Sequence, residues 1–159
     1  MNPLRPLIYT ITALAAMSAL PARAQNVVAD LDRIAQVLAQ AGYEPKLTKK
    51  DDEEFIAAYL DGYEFLILPY GCNESKRECR SIQFFIAFDP PKSPSLEAMN
   101  LYARENRWGR IYLDRDGDPA IEFDLDLEKG GMSEELFLDN LSYWATAVQA
   151  YAQFVFEKD

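Results

Sequence analysis

Asp61-Gly62 stands between two runs rich in apolar and β-branched residues, and this dipeptide constrains the fold more than any other feature. A two-residue hairpin loop needs positive φ at its centre, which Gly accepts without steric cost and Asp tolerates. If Asp61-Gly62 is the loop, Leu60 faces Tyr63, Ala58 faces Phe65 and Ile56 faces Ile67. The two cysteines give a second register. If Cys72 faces Cys79, Ile67 faces Phe84, Phe65 faces Ile86 and Tyr63 faces Phe88. Both registers put the same residues on one face. Their agreement predicts three antiparallel strands near 55–60, 63–70 and 81–89.

The elements around this meander follow from periodicity. Val27, Val28, Leu31, Ile34, Ala35, Leu38 and Ala41 repeat at helical spacing, with Asn26 as cap and Gly42 as stop. The polar stretch 44–53 holds a short edge strand or a loop. Ser93 with Pro94 suits the start of a second helix, striped by Leu96, Met99 and Ala103 and stopped by Gly109. A second hairpin is predicted around Asp116-Gly117-Asp118, with Leu113 opposite Ile121 and Ile111 opposite Phe123. Ser133 caps a long final helix whose apolar stripe runs from Phe137 to Val155. The expected fold is therefore α+β, in the order α-β-β-β-α-β-β-α, with a five-stranded, mostly antiparallel sheet.

The first 24 residues read as an address. A charged start at Arg5, an apolar run from Leu7 to Leu20 and the small-x-small site Ala22-Arg23-Ala24 make the layout of a secretory signal peptide. Cleavage between Ala24 and Gln25 is expected, leaving one domain over 25–159 in the bacterial periplasm or beyond it. The apolar run is short for a membrane span, and no stable anchor is expected after cleavage.

Charge and residue usage narrow the function. The chain holds 16 Lys and Arg against 26 Asp and Glu. Loss of Arg5 and Arg23 with the leader takes the net charge from −10 to −12, which disfavours nucleic acid and anionic membranes. There is no histidine, so the commonest general base and the commonest transition-metal ligand are absent. No cofactor is expected. Cys72 and Cys79, the only cysteines, favour one structural disulfide in an exported chain over free thiols or a redox pair.

Several clusters invite a functional reading. Asp114, Asp116, Gly117 and Asp118 superficially resemble a calcium loop, but Pro119 and Leu125 fall where Gly and Glu are required, so a hairpin turn is favoured. Glu122, Asp124, Asp126 and Glu128 read as the solvated side of an edge strand, with a basic docking segment as the alternative. Asn100, Asn106 and Trp108 read as an architectural corner, Trp108 packed beneath the asparagines. The meander itself is apolar on both faces. Ile56, Ala58, Phe65, Ile67, Phe84, Ile86 and Phe88 share one; Phe55, Tyr59, Leu66, Leu68 and Phe85 share the other. A helix is the expected cover of the second face; a partner or second copy is the alternative. Tyr143, Tyr151 and Phe154, which widen the stripe of the final helix, join those five as the candidate interaction surface. A homodimer and a further protein partner of unknown identity are expected.

The segment Asn100 to Phe137 carries a set of fold-shaping residues: Asn106-Arg107-Trp108-Gly109-Arg110, Tyr112-Leu113-Asp114, Asp116-Gly117, the run Phe123 to Leu127, Gly130-Gly131 and Ser133. In these, and in Gly71-Cys72 to Cys79 followed by Ser81-Ile82-Gln83, the chain resembles the YbjN-type domain family of bacterial sensory-transduction regulators. The resemblance spans roughly residues 31–154. It implies a fold similar to type III secretion chaperones and a binding or regulatory role rather than an enzyme, since the family has no well-defined biochemical activity. A carboxylate-based periplasmic hydrolase and a carrier of a small ligand or cation are the alternatives.

Overall fold

The computed structural model describes residues 26–74 and 78–156. The expected leader and its cleavage point at Ala24 and Gln25 lie outside the described residues. Nine elements follow in order: α1 (Leu31–Gln40), β1 (Lys46–Lys50), β2 (Glu53–Leu60), β3 (Tyr63–Tyr70), β4 (Ser81–Ala87), α2 (Leu96–Glu105), β5 (Arg110–Leu113), β6 (Pro119–Asp126) and α3 (Glu134–Phe156). The six strands form one sheet, ordered β1-β2-β3-β4-β6-β5, and every pairing is antiparallel. The fold is α+β as expected, with six strands rather than five. The additional strand is β1, in the polar stretch that the sequence left open between strand and loop.

The first hairpin has the expected register: Ile56 pairs with Ile67, Ala58 with Phe65 and Leu60 with Tyr63. Asp61 and Gly62 have φ of 49° and 89°, the double positive φ that a tight hairpin loop requires. Ile67 pairs with Phe84, and Cys72 and Cys79 are joined by a disulfide.

Three local expectations are corrected. α1 starts at Leu31, because Asp30, not Asn26, caps it: the Asp30 carboxylate accepts from Arg33 N at 2.8 Å. The residues before it are extended, and Val27 pairs with Met132 through two backbone hydrogen bonds of 2.8 and 3.0 Å. α2 is capped by Ser95, whose hydroxyl accepts from Ala98 N at 3.2 Å; Ser93 instead donates to the Gly117 carbonyl at 2.8 Å. The second hairpin slides by two residues, pairing Ile111 with Ile121 and Leu113 with Pro119. A shift of two keeps every side chain on its face. It also gives a five-residue connection in which the Asp114 carboxylate accepts from Asp116 N and Asp118 N, each at 2.9 Å.

The buried stripes of all three helices meet one face of the sheet. Ile34, Val37 and Leu38 of α1, Met99 of α2, and Phe137, Leu141, Trp144 and Val148 of α3 share a single core with Ile56, Phe65, Ile67, Phe84 and Ile121. Trp144 lies against Phe65 and Phe84, ring centroids 6.1 and 5.8 Å apart. Ser133 caps α3 as expected, accepting from Leu136 N. Among the described residues no helix is long and apolar enough to cross a membrane.

The Val27–Met132 bridge ties the chain before α1 to the chain before α3, and Gly131 makes it possible. Gly130 and Gly131 both have positive φ, 87° and 73°, but a Cβ at Gly130 would meet open space, whereas at Gly131 it would run into the Val27 carbonyl. Gly130→Ala is expected to cost about 1–2 kcal/mol, the left-handed backbone penalty alone, and Gly131→Ala a further 1–3 kcal/mol or so, for displacing the bridge. Urea denaturation of both variants checks this; equal losses would contradict it.

Candidate interaction surface

The second face of the sheet has no cover among the described residues. Phe55, Tyr59, Leu66, Leu68 and Phe85 all lie there, and none belongs to the helix-packed core. This corrects the expectation that a helix would lie over them. The physical reason is parity: side chains alternate across a strand, and the residues on the α1, α2 and α3 side are all of the opposite parity. Phe55, Leu66, Leu68 and Phe85 are half-buried, Leu66 pairing directly with Phe85, while Tyr59 is 58% exposed.

The pairings lay this face out in rows. One row crosses all six strands, from Lys46 on β1 through Ala57, Leu66, Phe85 and Glu122 to Arg110 on β5. The next runs from Thr48 and Phe55 on the first two strands to Gln83 and Asp124 on β4 and β6, with Leu68 between. The third holds Lys50 with Glu53 at one end and Tyr70, Ser81 and Asp126 at the other. Basic side chains therefore stand on β1, apolar ones on β2, β3 and β4, and carboxylates on β6.

The β6 side is a polar depression of about 580 Å3 lined by Tyr70, Gln83, Arg110, Tyr112, Glu122 and Asp124. Glu122 is only 5% exposed. Its carboxylate forms an ion pair with Arg110 and accepts from the Tyr112 hydroxyl at 3.2 Å. Tyr70 donates to Gln83 Oε1 at 3.3 Å, and Gln83 Nε2 donates to Asp124 Oδ1 at 2.9 Å. Burial, reinforced by the Glu122 charge, raises the Tyr112 phenol above its ordinary value. The same causes, with Asp124 and Glu53 adding to them, raise Tyr70. The hydrogen bond and charge of Glu122 raise Arg110 further. The two tyrosines stay neutral donors and the guanidinium stays charged. The depression is thus bordered by fixed donors and by Asp124, whose side chain is exposed.

Three readings of this region change. β6 lies between β4 and β5, so Glu122 is a buried, paired carboxylate rather than part of a solvated edge. Asp126 accepts from Glu128 N at 2.9 Å, and Glu128 pairs with Arg80 at 3.6 Å. The α3 residues do not join the sheet residues. Tyr151 is fully buried, its ring 5.9 Å from that of Phe88 and its hydroxyl 3.4 Å from Met99 Sδ, and burial raises its phenol; it is core, not surface. Phe154 is half-buried, 4.6 Å from Tyr102 between ring centroids. Tyr143 is exposed but stacked on Trp108 at 4.5 Å. Asn106 does fix its corner, ending α2 with its amide on the Tyr102 carbonyl at 3.0 Å. Asn100 is exposed. Trp108, 42% exposed and at φ 67°, lies on the surface rather than beneath the asparagines.

Tyr70, Gln83, Arg110 and Tyr112 were absent from the sequence-based surface. Tyr70 and Gln83 lie on this face by the β3–β4 register that the cysteine spacing already offers, whereas Arg110 and Tyr112 join it only through β6, whose pairing with β4 spans α2 and β5 and leaves no turn signal in the sequence. Tyr112→Phe removes one of two partners from a buried carboxylate. The expected loss is about 1.5 kcal/mol of stability, the scale of a hydrogen bond to a charged group. Chemical denaturation checks this; a loss below about 0.3 kcal/mol would mean that the hydroxyl does not support Glu122.

A model of the YbjN family, described as "putative bacterial sensory transduction regulator", matches residues 30–157. No curated protein matches the chain. The match takes in every helix and strand of the structure, and the chain belongs to the YbjN family.

Proposed function

We propose that this protein is an exported, non-enzymatic binding or regulatory module that works through protein contacts made by the open face of its sheet. The observation that carries the reading is the uncovered apolar patch of Phe55, Leu66, Leu68 and Phe85. Contiguous apolar side chains that no other part of a domain covers mark contact surfaces, and a face with an apolar centre and a charged rim has the make-up of a protein interface. The family description as a sensory transduction regulator supports a regulatory role. The fold similarity to type III secretion chaperones that the family resemblance implies would suit a chaperone-like way of holding a partner. The leader pattern at residues 1–24 supports export to the periplasm or beyond, with Gln25 as the first residue of the working protein.

A photo-crosslinking amino acid placed at Leu66 or Phe85, in cells of the native host, tests the reading. The expected result is a discrete protein adduct from either position and none from Leu136, an exposed apolar residue on α3. The captured protein should begin at Gln25. Equal or absent labelling from the sheet positions would contradict the surface, and an uncleaved leader would contradict export.

A further inference from the structure

We propose that the open face is occupied by a second copy of this chain, packed face to face about a two-fold axis that runs parallel to the strands along β3. This rests on the open face being a protein-docking surface and names its occupant. Charge complementarity across the strand registers points to this occupant.

A closed two-fold interface must be self-complementary: whatever one residue meets, its symmetry mate meets in return. Two sheets pack in this manner about 10 Å apart, with strand directions within roughly 30°. An axis along β3 lays β2 over β4 of the other copy and β1 over β6, and it keeps each row over itself. Leu66 then meets Leu66 and Leu68 meets Leu68, with Ala57 over Phe85 and Phe55 over Gln83. At the flanks Lys50 comes over Asp126, and Lys46 comes over the stretch holding Glu122 and Asp124. Lys46, Lys50, Asp124 and Asp126 are all exposed, and no ion pair is formed by Lys46 or Lys50 among the described residues. Arg110 offsets Glu122, so the β6 flank remains acidic through Asp124 and Asp126.

The other two-fold orientation, with the axis across the strands, stacks β1 on β1 and β6 on β6. It would set lysines on lysines and carboxylates on carboxylates. Like charges brought together at an interface cost several kcal/mol, so the charge pattern selects the first orientation. One row opposes it: Glu64, paired with Tyr59, meets its own copy. It is exposed and lies beyond the apolar centre, where solvent and salt screen it.

Lys50→Glu, Asp126→Lys and the double variant of the full chain, expressed and purified as it accumulates in cells, test the pairing by sedimentation velocity. All four proteins are run over a range of about 1–100 µM, since dimer populations follow mass action. Both sites are exposed, so circular dichroism spectra of the variants should match that of the original. The original is expected to dimerise, each single reversal to weaken the dimer at least tenfold or so, and the double reversal to recover most of that loss, because each charge pair occurs twice. A dimer indifferent to the single reversals, or a double variant no better than the singles, would overturn the inference. So would an original that stays monomeric throughout. In that last case the Phe85 photo-crosslinker separates the two claims. Adducts only to another protein would discard the second copy and keep the docking face; no adduct would discard both.

Discussion

The cross-strand pairing of Ile56, Ile67, Phe84 and Phe123 is the constraint on which the rest of the molecule depends. It fixes one parity for four neighbouring strands. Every second residue is committed to the helix side, and the residues between are committed to the other. Phe65 and Phe84 give α3 its seat beneath Trp144. The same registers give Phe55, Leu66, Leu68 and Phe85 no helix to meet. A slip of one residue in any strand would exchange the two sets, so the core and the open face have a common cause.

Three features hold that parity in place. The Asp61-Gly62 loop fixes β2 against β3, the Cys72–Cys79 disulfide closes β3 onto β4, and the Val27–Met132 bridge joins the chain ahead of α1 to the chain ahead of α3. Arg33 and Glu134 add an ion pair at 2.9 Å between those helices. With the helices held on one side, the exposed apolar face is a property of the folded domain. Its rim is ordered too, because Glu122 is gripped by Arg110 and Tyr112, and Gln83 by Tyr70 and Asp124. A rigid rim lowers the conformational cost of docking a partner.

Much of this was legible in the chain because it is local. Turn chemistry and cysteine spacing placed β2, β3 and β4 in the correct register, and helical period located all three helices. What was not legible depends on distant residues. Asn26 resembles a cap for α1, but its neighbour Val27 belongs to a bridge with Met132, over one hundred residues away. Glu122 resembles a solvated carboxylate until β5 pairs on one side of β6 and β4 on the other. Tyr151 lies on a stripe too wide for one contact, and only the packing of α2 shows that the extra width is core, through Met99 and Tyr102. The cover of the second sheet face could not be read from its own strands, because the parity of the helix contacts decides it.

Hydroxyl-radical footprinting of the aromatic side chains tests the central claim most directly. It compares Tyr59 and Phe85 on the open face with Phe65 and Phe84 beneath the helices, in dilute purified protein and in intact cells. The account predicts that Tyr59 and Phe85 are oxidised in dilute protein while Phe65 and Phe84 are protected, and that Tyr59 and Phe85 become protected in cells. Protection of Phe85 in dilute, monomeric protein would mean that the chain covers this face itself. Unchanged oxidation in cells would mean that nothing docks there.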